Sequence, residues 1–267
     1  MAARFLTTLT WFAGLLFFFP VFWMIITGFK HEGDAQTDPP SLVFTPTLDQ
    51  FRTLFDAGAG PYFLNSLLAA GMSTLLVLGL AVPAAYALAI RSLPRAKDVL
   101  FFFISTKMLP VVAVIVPIYV IAGRLGVLDN VWTLVVLYTA MNLPIAVWMM
   151  RSFLMEVPRE VLEAAAMDGA SLVQTMRRVL LPMVAPGLAA TALICLIFAW
   201  NEFFFSINVT ASQAATVPVF LVGFMTSEGL FWAQMSAAAT LASLPVVLAG
   251  WAAQKQLVRG LSMGAVK

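Results

Sequence analysis

Four polar side chains in apolar parts of the sequence are the strongest candidates for chemistry. Lys107, Asn142, Asn201 and Glu202 each lie inside or at the end of a hydrophobic run. An ion or an amide at membrane depth is costly unless it faces water or another polar group. These side chains therefore predict a polar path through an apolar bundle of helices.

Each candidate also has a simpler structural explanation. Lys107 could pair with a carboxylate or with carbonyl groups of a partner subunit, and Glu202 could reach the membrane interface or hold the neighbouring loop. Asn142 could hydrogen-bond backbone that Pro144 leaves unpaired. Trp200 could stack on the apolar face of a sugar or polyol, but an aromatic belt at the membrane interface explains it equally well.

Motifs for nucleotide and metal binding are missing from the sequence. It holds no G-x-x-x-x-G-K-[ST], H-E-x-x-H or paired C-x-x-C pattern, so none of the sites that these motifs form is predicted. The single histidine, His31, and the single cysteine, Cys195, provide neither a metal site nor a disulfide within the chain. We therefore expect the chain to bind no cofactor or metal and to hydrolyse no ATP itself.

The elements that must position these residues are apolar helices. Hydrophobic residues make up 61% of the 267-residue chain and charged residues only 10%, whereas about a quarter of the residues are charged in an ordinary soluble domain. The net charge of +2 gives no reason to expect nucleic-acid binding, because the cations lie at loop edges. The composition predicts an all-α, polytopic membrane protein.

Six stretches are apolar enough and near the ~20 residues that a transmembrane helix requires. They are residues 5–29, 63–90, 99–122, 130–150, 183–200 and 232–254. Pro110 and Pro117 are expected to break the third stretch. Residues 203–227 are also uncharged, but the segment NVTASQAATV at 208–217 is too polar to face lipid. We therefore expect 203–231 to be a loop.

The positions of the cations orient these six spans. The larger set, on one side, is Arg4, Arg91, Arg95, Lys97, Arg151, Arg159, Arg177, Arg178, Lys255, Arg259 and Lys267; the smaller set, on the other, is Lys30, Arg52 and Arg124. By the positive-inside rule, both termini and residues 151–182 are cytoplasmic. Residues 30–60 and 203–231 are then periplasmic, and a short helix is expected near residues 48–55 in the first of these loops.

Residues 151–182 form a long, polar-edged segment between two apolar runs. The pattern predicts two short helices with a turn between them. Pro158 suits a first helical turn, and Gly169 suits a left-handed stop after the first helix. Ser171 has the capping-box spacing to the glutamine three residues later, so it predicts the start of the second helix. Pro182 is expected to end that helix.

This hairpin resembles the EAA loop of bacterial ABC-importer permeases. Glu-Ala-Ala at 163–165 is followed after three residues by Gly169 and then, after nine more, by a segment ending at Pro182. The spacing is similar to the pattern EAA-x3-G-x9-I-x-L-P, with Val179 in place of isoleucine. In that family the loop forms coupling helices that dock in a cleft of the ATPase subunit. The resemblance implies this role for Glu163, Ala164, Ala165, Asp168, Gly169 and Pro182.

The residue types suit such docking. Small alanines let a partner surface approach closely, and the carboxylate of Glu163 can pair with a cation of the partner. A solvated amphipathic hairpin that lies on the membrane surface is the alternative explanation.

Most of the chain is similar to MalG-type inner-membrane permeases of carbohydrate ABC importers. The stretches 108–130, 156–171, 198–205 and 259–267 carry this resemblance, and 190–205 together with 216–251 is most similar to permeases of mannitol/sorbitol (polyol) systems. The resemblance implies a type I importer fold and a sugar-alcohol substrate. It also implies a heterodimer with a second, homologous, MalF-like permease.

The same resemblance implies further partners and a location. Two cytoplasmic ATPase subunits would dock on residues 158–182 and bind ATP and Mg, and a periplasmic solute-binding protein would deliver the substrate. The chain would be a multi-pass protein of the bacterial cytoplasmic (inner) membrane. Closure of the ATPase dimer would move the hairpin and rock the bundle between inward-open and outward-open forms.

Other functions remain open at this point. An ABC permease for a maltose-like or trehalose-like disaccharide, or for glycerol phosphate, has the same sequence features. A secondary transporter would need intramembrane carboxylates or an inverted repeat, and no acidic residue lies in the middle of a span. A membrane enzyme would need clustered His, Asp or Glu residues, and only one histidine exists.

Overall fold

The computed structural model describes residues 2–91, 93–226 and 229–263, and almost all of their regular structure is helical. In these ranges the α-helices are α1 (Ala2–Gly28), α2 (Glu32–Ala35), α3 (Asp49–Asp56), α4 (Ala59–Ile90), α5 (Ala96–Lys107), α6 (Val111–Leu125), α7 (Val131–Met155), α8 (Arg159–Met167), α9 (Leu172–Gln174), α10 (Leu181–Met183), α11 (Ala185–Trp200), α12 (Phe204–Val209), α13 (Val217–Val222) and α14 (Trp232–Met263). Thr175–Leu180 is π-helical, and two two-residue strands, β1 (Met225–Thr226) and β2 (Gly229–Leu230), pair antiparallel.

Four of the described helices are long and apolar enough to cross a membrane: α1, α4, α7 and the part of α14 up to Lys255. Two further candidates are bent pairs, α5 with α6 and α9–α10 with α11, so the number rises to six if each pair is one span. A backbone in lipid must satisfy its own hydrogen bonds, which an apolar helix does. The all-α prediction is therefore confirmed for the described residues, apart from the small strand pair.

The third expected span differs from a single helix. α5 and α6 meet at an angle of 87°, and the break comes at Met108–Pro110. Pro110 precedes the first residue of α6, whereas Pro117 lies inside α6 without ending it. A proline at a helix start loses no hydrogen bond, which is why α6 can begin directly after Pro110. The expected break at Pro110 is therefore confirmed, whereas the expected break at Pro117 is wrong.

The prediction that Pro182 ends the second helix of the hairpin is wrong, because the helix continues to Met183. The chain continues through the π-helical turn and Leu181–Met183, and it breaks at Val184. There the direction changes by 81° before α11 begins. Pro182 is the second residue of α10, directly after the π-helical turn.

The polar run within 203–231 predicts that this segment is not a further long helix, and the structure agrees. The segment contains α12, a non-helical stretch, α13 and the strand pair. The first predicted loop contains α3 at Asp49–Asp56, which confirms the short helix expected near residues 48–55, and also α2.

The described chain divides into two compact units. The first comprises the chain up to Phe63 together with Thr216–Pro245. Its core consists of Leu54, Ala59, Ala237 and Ala238. Gly28 of α1 lies so close to α14 that a Cβ atom there would be 2.9 Å from the Cα atom of Ala237. A small residue is therefore required at this crossing.

Two charged side chains tie the loop after α1 into this first unit. Lys30 is 1% exposed, and its ammonium donates to the Ser41 carbonyl oxygen at 2.6 Å and lies 4.5 Å from the centre of the Trp23 ring. Glu32 accepts from the N–H groups of Ala233 and Gln234, at the start of α14. The carboxylate thus satisfies donors that a helix start leaves unpaired.

The second unit comprises Leu64–Ala215 and the chain from Val246 onward. α7 is its central helix and packs against α5 and α11. One cluster joins Leu134 and Tyr138 of α7 to Trp200, and another joins Val147 to Cys195. The helices that carry the predicted polar residues are thus held by apolar contacts along α7.

Candidate functional site

The hairpin after α7 begins with α8 and turns at Gly169. Gly169 has a φ of +73°, and its N–H donates to the Ala166 carbonyl oxygen at 3.0 Å. The N–H of Ala170 donates to the Ala165 carbonyl oxygen, also at 3.0 Å. This is the Schellman arrangement, in which a left-handed residue ends the helix. The predicted left-handed stop at Gly169 is confirmed.

The second helix of the hairpin starts with a capping box. The N–H of Ser171 donates to Gln174 Oε1 at 2.8 Å, and the N–H of Gln174 donates to Ser171 Oγ at 3.4 Å. The backbone N–H of each of these two residues is therefore satisfied by the side chain of the other, as the spacing predicts.

The hairpin presents most of the residues in its EAA pattern at the surface. Glu163, Ala164, Asp168, Gly169 and Pro182 are exposed, whereas Ala165 is buried. In this structure Ala165 therefore packs inside the chain, and the other five residues are exposed.

Three exposed apolar side chains next to the turn were not singled out by sequence reasoning. Met167 is 89% exposed, and Leu172 and Val173 are largely exposed as well. They lie between the fixed positions of the EAA pattern, so the pattern itself gives no signal for them. Together with the acidic Glu163 and Asp168 they form a mixed apolar and acidic surface, which we call the hairpin tip. Apolar surface of this kind is typical of an interaction site.

The base of the hairpin is packed firmly against three apolar helices. Leu180 is fully buried in a cluster with Met150 and Leu154 of α7 and with Val82 and Ala85 of α4. At the start of α11, Gly187 lies directly against the ring of Phe153. The base of the hairpin is therefore in close-packed contact with the helices on either side of it.

Among the polar candidates, Asn142 is fully buried between two helices. Its Nδ2 donates to the Cys195 carbonyl oxygen of α11 at 3.2 Å. The backbone near Pro144 is thus not its partner. Asn142 Oδ1 has no hydrogen-bond partner within the described chain.

Lys107 is the last residue of α5 and is exposed. Its ammonium lies 6.0 Å from the centre of the Phe198 ring, and no carboxylate of the described residues is within ion-pair distance of it. Asn201 is also exposed, but it follows the last residue of α11, and its Nδ2 donates to the Ile197 carbonyl oxygen at 2.9 Å. Lys107 and Phe198 therefore form a cationic and aromatic surface.

Trp200 and Glu202 have structural partners in this conformation. Trp200 is only 5% exposed and belongs to the core around Tyr138, so the exposed aromatic ring near Lys107 is that of Phe198 instead. Glu202 accepts from the N–H groups of Phe205 at 2.9 Å and Ser206 at 3.3 Å. It holds the start of α12, which agrees with the alternative that it holds the neighbouring loop.

Asp129, between α6 and α7, was missed by sequence reasoning because nothing near it in the chain indicates a partner. Its carboxylate accepts hydrogen bonds from the backbone N–H groups of residues 211–214. Partial burial works to raise the pKa of Asp129, but these backbone donors outweigh it and hold the pKa below its ordinary value.

Two features that could suggest other chemistry do not form sites in the described residues. No group of three or more His, Cys, Asp or Glu side chains there could hold a metal ion. Residues 260–264, GLSMG, have the spacing G-x-S-x-G, but 260–263 continue α14. A serine nucleophile of this motif requires a sharp turn from strand to helix.

Comparison with known proteins gives consistent matches. Residues 78–263 match the family described as binding-protein-dependent transport system inner membrane component. The probable ABC transporter permease protein y4oR of Sinorhizobium fredii is 40% identical over 266 residues, which cover 99% of this chain and 96% of the relative. The diacetylchitobiose uptake system permease protein DasC of Streptomyces coelicolor is 33% identical over 266 residues, covering 98% and 95%.

A solved structure shares the fold. A chain in the crystal structure of a bacterial ABC transporter involved in the import of the acidic polysaccharide alginate aligns with a TM-score of 0.76. The alignment covers 96% of both chains at 20% sequence identity.

Proposed function

The chain belongs to the family of binding-protein-dependent transport system inner membrane components, and from this premise we propose that it is the permease subunit of a carbohydrate importer. The observation that carries the proposal is the hairpin after α7. It exposes the mixed apolar and acidic hairpin tip, which includes Glu163, while its base is packed against α4, α7 and α11. Such a segment can receive a movement from a partner and pass it to the helices of the bundle.

The proposed topology has six spans, with each bent helix pair counted as one. The cation distribution puts both termini and the hairpin in the cytoplasm and residues 30–60 and 203–231 in the periplasm. The location is the cytoplasmic membrane of a bacterium. The lengths of α1, α4, α7 and α14 and the two bent pairs support this arrangement.

The proposed coupling role belongs to Glu163, Ala164, Ala165, Asp168, Gly169 and Pro182. Glu163 would pair with a cation of the ATPase subunit, and Met167 and Val173 of the hairpin tip would fill apolar pockets of the same partner. Gly169 would keep the turn tight, and buried Ala165 would hold α8 against its own chain. Closure of two ATPase subunits, which bind ATP and Mg, would then rock the bundle.

The remaining proposed partners are a second, homologous permease and a periplasmic solute-binding protein. This chain itself would bind no cofactor. The lipid bilayer would cover its apolar helices, of which α1 is exposed along most of its length.

The proposed substrate is a sugar alcohol such as mannitol or sorbitol. The Lys107 ammonium beside the exposed Phe198 ring supports a hydroxyl-rich ligand, because the ring can stack on carbon–hydrogen groups while the ammonium bonds hydroxyls. Asn201 would add its amide oxygen to the path. Asn142 and Glu202 would shape the path from within the bundle, and Trp200 would support it from the core. A disaccharide is the second candidate, which the name of the relative DasC favours.

Affinity purification of the tagged chain from its native membrane tests the proposal. We expect mass spectrometry to identify a second permease and an ATPase with a G-x-x-x-x-G-K-[ST] motif. The solute-binding protein encoded with them is then titrated with mannitol, sorbitol, diacetylchitobiose and maltose. Tight binding of a disaccharide alone would contradict the polyol assignment, and purification of the chain without an ATPase would contradict the importer and favour a secondary transporter.

A further inference from the structure

The loop at residues 211–215 has no regular structure of its own. It follows α12, and Ala214 and Ala215 are buried while residues 211–213 are exposed. A backbone of this kind must find hydrogen-bond partners elsewhere. Its partners identify what holds it.

Asp129 supplies the acceptors for the N–H groups of this loop. Its Oδ1 accepts from Ala211 at 2.8 Å and from Ala214 at 2.9 Å. Its Oδ2 accepts from Ser212 at 3.1 Å, and Gln213 lies 3.2 and 3.1 Å from the two oxygens. Four consecutive backbone donors therefore surround one carboxylate, an arrangement that favours a negative charge.

The backbone of Asp129 is fixed in the same position. Its φ is +51°, a conformation that Asp and Asn adopt more readily than most residues. Its N–H donates to the Val209 carbonyl oxygen at 2.9 Å. The turn between α6 and α7 is thus joined to the end of α12 by main chain as well as by side chain.

Asn65 of α4 holds the other side of the loop. Its Nδ2 donates to the carbonyl oxygens of Gln213 at 2.8 Å and Ala215 at 3.0 Å. The loop donors go to Asp129 and two of its acceptors go to Asn65. We call this set of contacts the latch.

The latch lies at the end of α7 that is farther from the hairpin. α7 runs from Val131 to Met155, a length of roughly 37 Å at 1.5 Å per residue. Asp129 lies immediately before one end of this helix, and α8 of the hairpin follows the other end. α7 therefore leads into the hairpin at one end and is held at its other end by hydrogen bonds to the loop after α12.

We propose that Asp129 is a positioning residue that makes the far ends of α4, α7 and α12 move as one body when the hairpin is displaced. This inference rests on the proposed function, because it assigns the latch a part in coupling. Without the carboxylate, water would replace the four acceptor contacts, and α7 could move at that end without carrying the loop with it.

Asp129→Asn is the sharpest test, because asparagine keeps the shape, tolerates the positive φ and removes the charge. The full complex is purified and reconstituted with its solute-binding protein. Two quantities are measured: hydrogen exchange of the amides of residues 211–214, and solute imported per ATP hydrolysed. We expect exchange to accelerate and the import ratio to fall, each by about tenfold, the factor that corresponds to roughly one charge-assisted hydrogen bond. Basal ATP hydrolysis should remain.

Three controls separate the outcomes. Asp98→Asn, which removes an exposed carboxylate at the start of α5, should change neither quantity, and Asp129→Glu should restore part of both. If Asp129→Asn fails to accumulate, Asn65→Ala removes the hydrogen bonds to the loop carbonyl oxygens instead, and the same two quantities are measured on that variant. Unchanged exchange would show that the latch does not hold the loop, and faster exchange with an unchanged import ratio would show that it is only structural; either result overturns the proposal. If the wild-type complex shows no ATP-driven import, the importer assignment fails with the coupling role, while the exchange data still report whether the latch exists.

Discussion

The hairpin after α7 and the loop after α12 are fixed by opposite kinds of contact. Gly169 and Ser171 hold the hairpin turn through hydrogen bonds to residues within five positions of the sequence. The loop at 211–215 is held by Asp129 and Asn65, which lie more than 80 and more than 140 positions away. The comparison shows that local hydrogen bonds fix the turn of the hairpin, whereas only residues distant in the sequence fix the loop at 211–215.

The largest effect is expected at the hairpin. Glu163→Arg should lower ATP-driven import by at least about tenfold while leaving membrane insertion intact, because a reversed charge at a desolvated contact costs several kcal/mol. Uptake of labelled substrate into cells measures it, and Glu160→Arg on the same helix is the matched control. Normal import by Glu163→Arg would remove the coupling role from this segment.

Next in size is the turn of the hairpin. Gly169→Val should destabilise it by about 1–3 kcal/mol, because a β-branched residue is strained at positive φ. Gly169→Asn should cost much less, since asparagine tolerates this conformation. Protease cleavage within residues 163–175 of the purified complex measures the difference. Equal cleavage of the two variants would show that the local geometry does not fix the turn.

A smaller effect is expected when the distant fastening is released from one side. Asn65→Ala removes two hydrogen bonds to loop carbonyls, which is a loss of about 1–2 kcal/mol. Thermal unfolding of the purified complex reports it. If Asn65→Ala were as stable as wild type, water would be an adequate substitute for the side chain and the contrast with the hairpin would weaken.

The loss of one local cap should be smaller still. Ser171→Ala removes the Oγ acceptor of the capping box, which is worth about 0.5–1 kcal/mol. Ser152→Ala, which removes an exposed hydroxyl of α7, is the control. The same unfolding measurement should rank the loss of stability of Asn65→Ala above that of Ser171→Ala.

The smallest effect concerns pH. Because the pKa of folded Asp129 lies below its ordinary value of 3.8, its stabilising contribution is complete above that value and is lost as pH falls through the folded-state pKa. We therefore expect exchange protection of residues 211–214, corrected for intrinsic rates, to stay constant from about pH 8 to pH 5 and to weaken only below about pH 4. Loss of protection near pH 6 would show that another group controls the latch.

The sequence by itself determined the apolar helices and the turn and helix start at Gly169 and Ser171. Long uncharged runs require helices because lipid leaves no other partner for the backbone. Gly169 and Ser171 act on neighbours three to five positions away, so their pattern alone predicts the turn and the cap. The boundaries at Met108–Pro110 and Val184 were less predictable, since a proline can sit inside a helix or at its start.

Only the tertiary structure decided what the isolated polar residues do. Asn142 donates to the carbonyl oxygen of Cys195, Glu202 accepts from the N–H groups at the start of α12, and Trp200 lies in the core. From the sequence alone, all three are candidates for lining a solute path. In the sequence Asp129 has the features of an ordinary turn residue. In the structure four backbone amides donate to its carboxylate. Backbone donors carry no sequence signal, because every residue except proline has one, and so only their arrangement in space can reveal such a site.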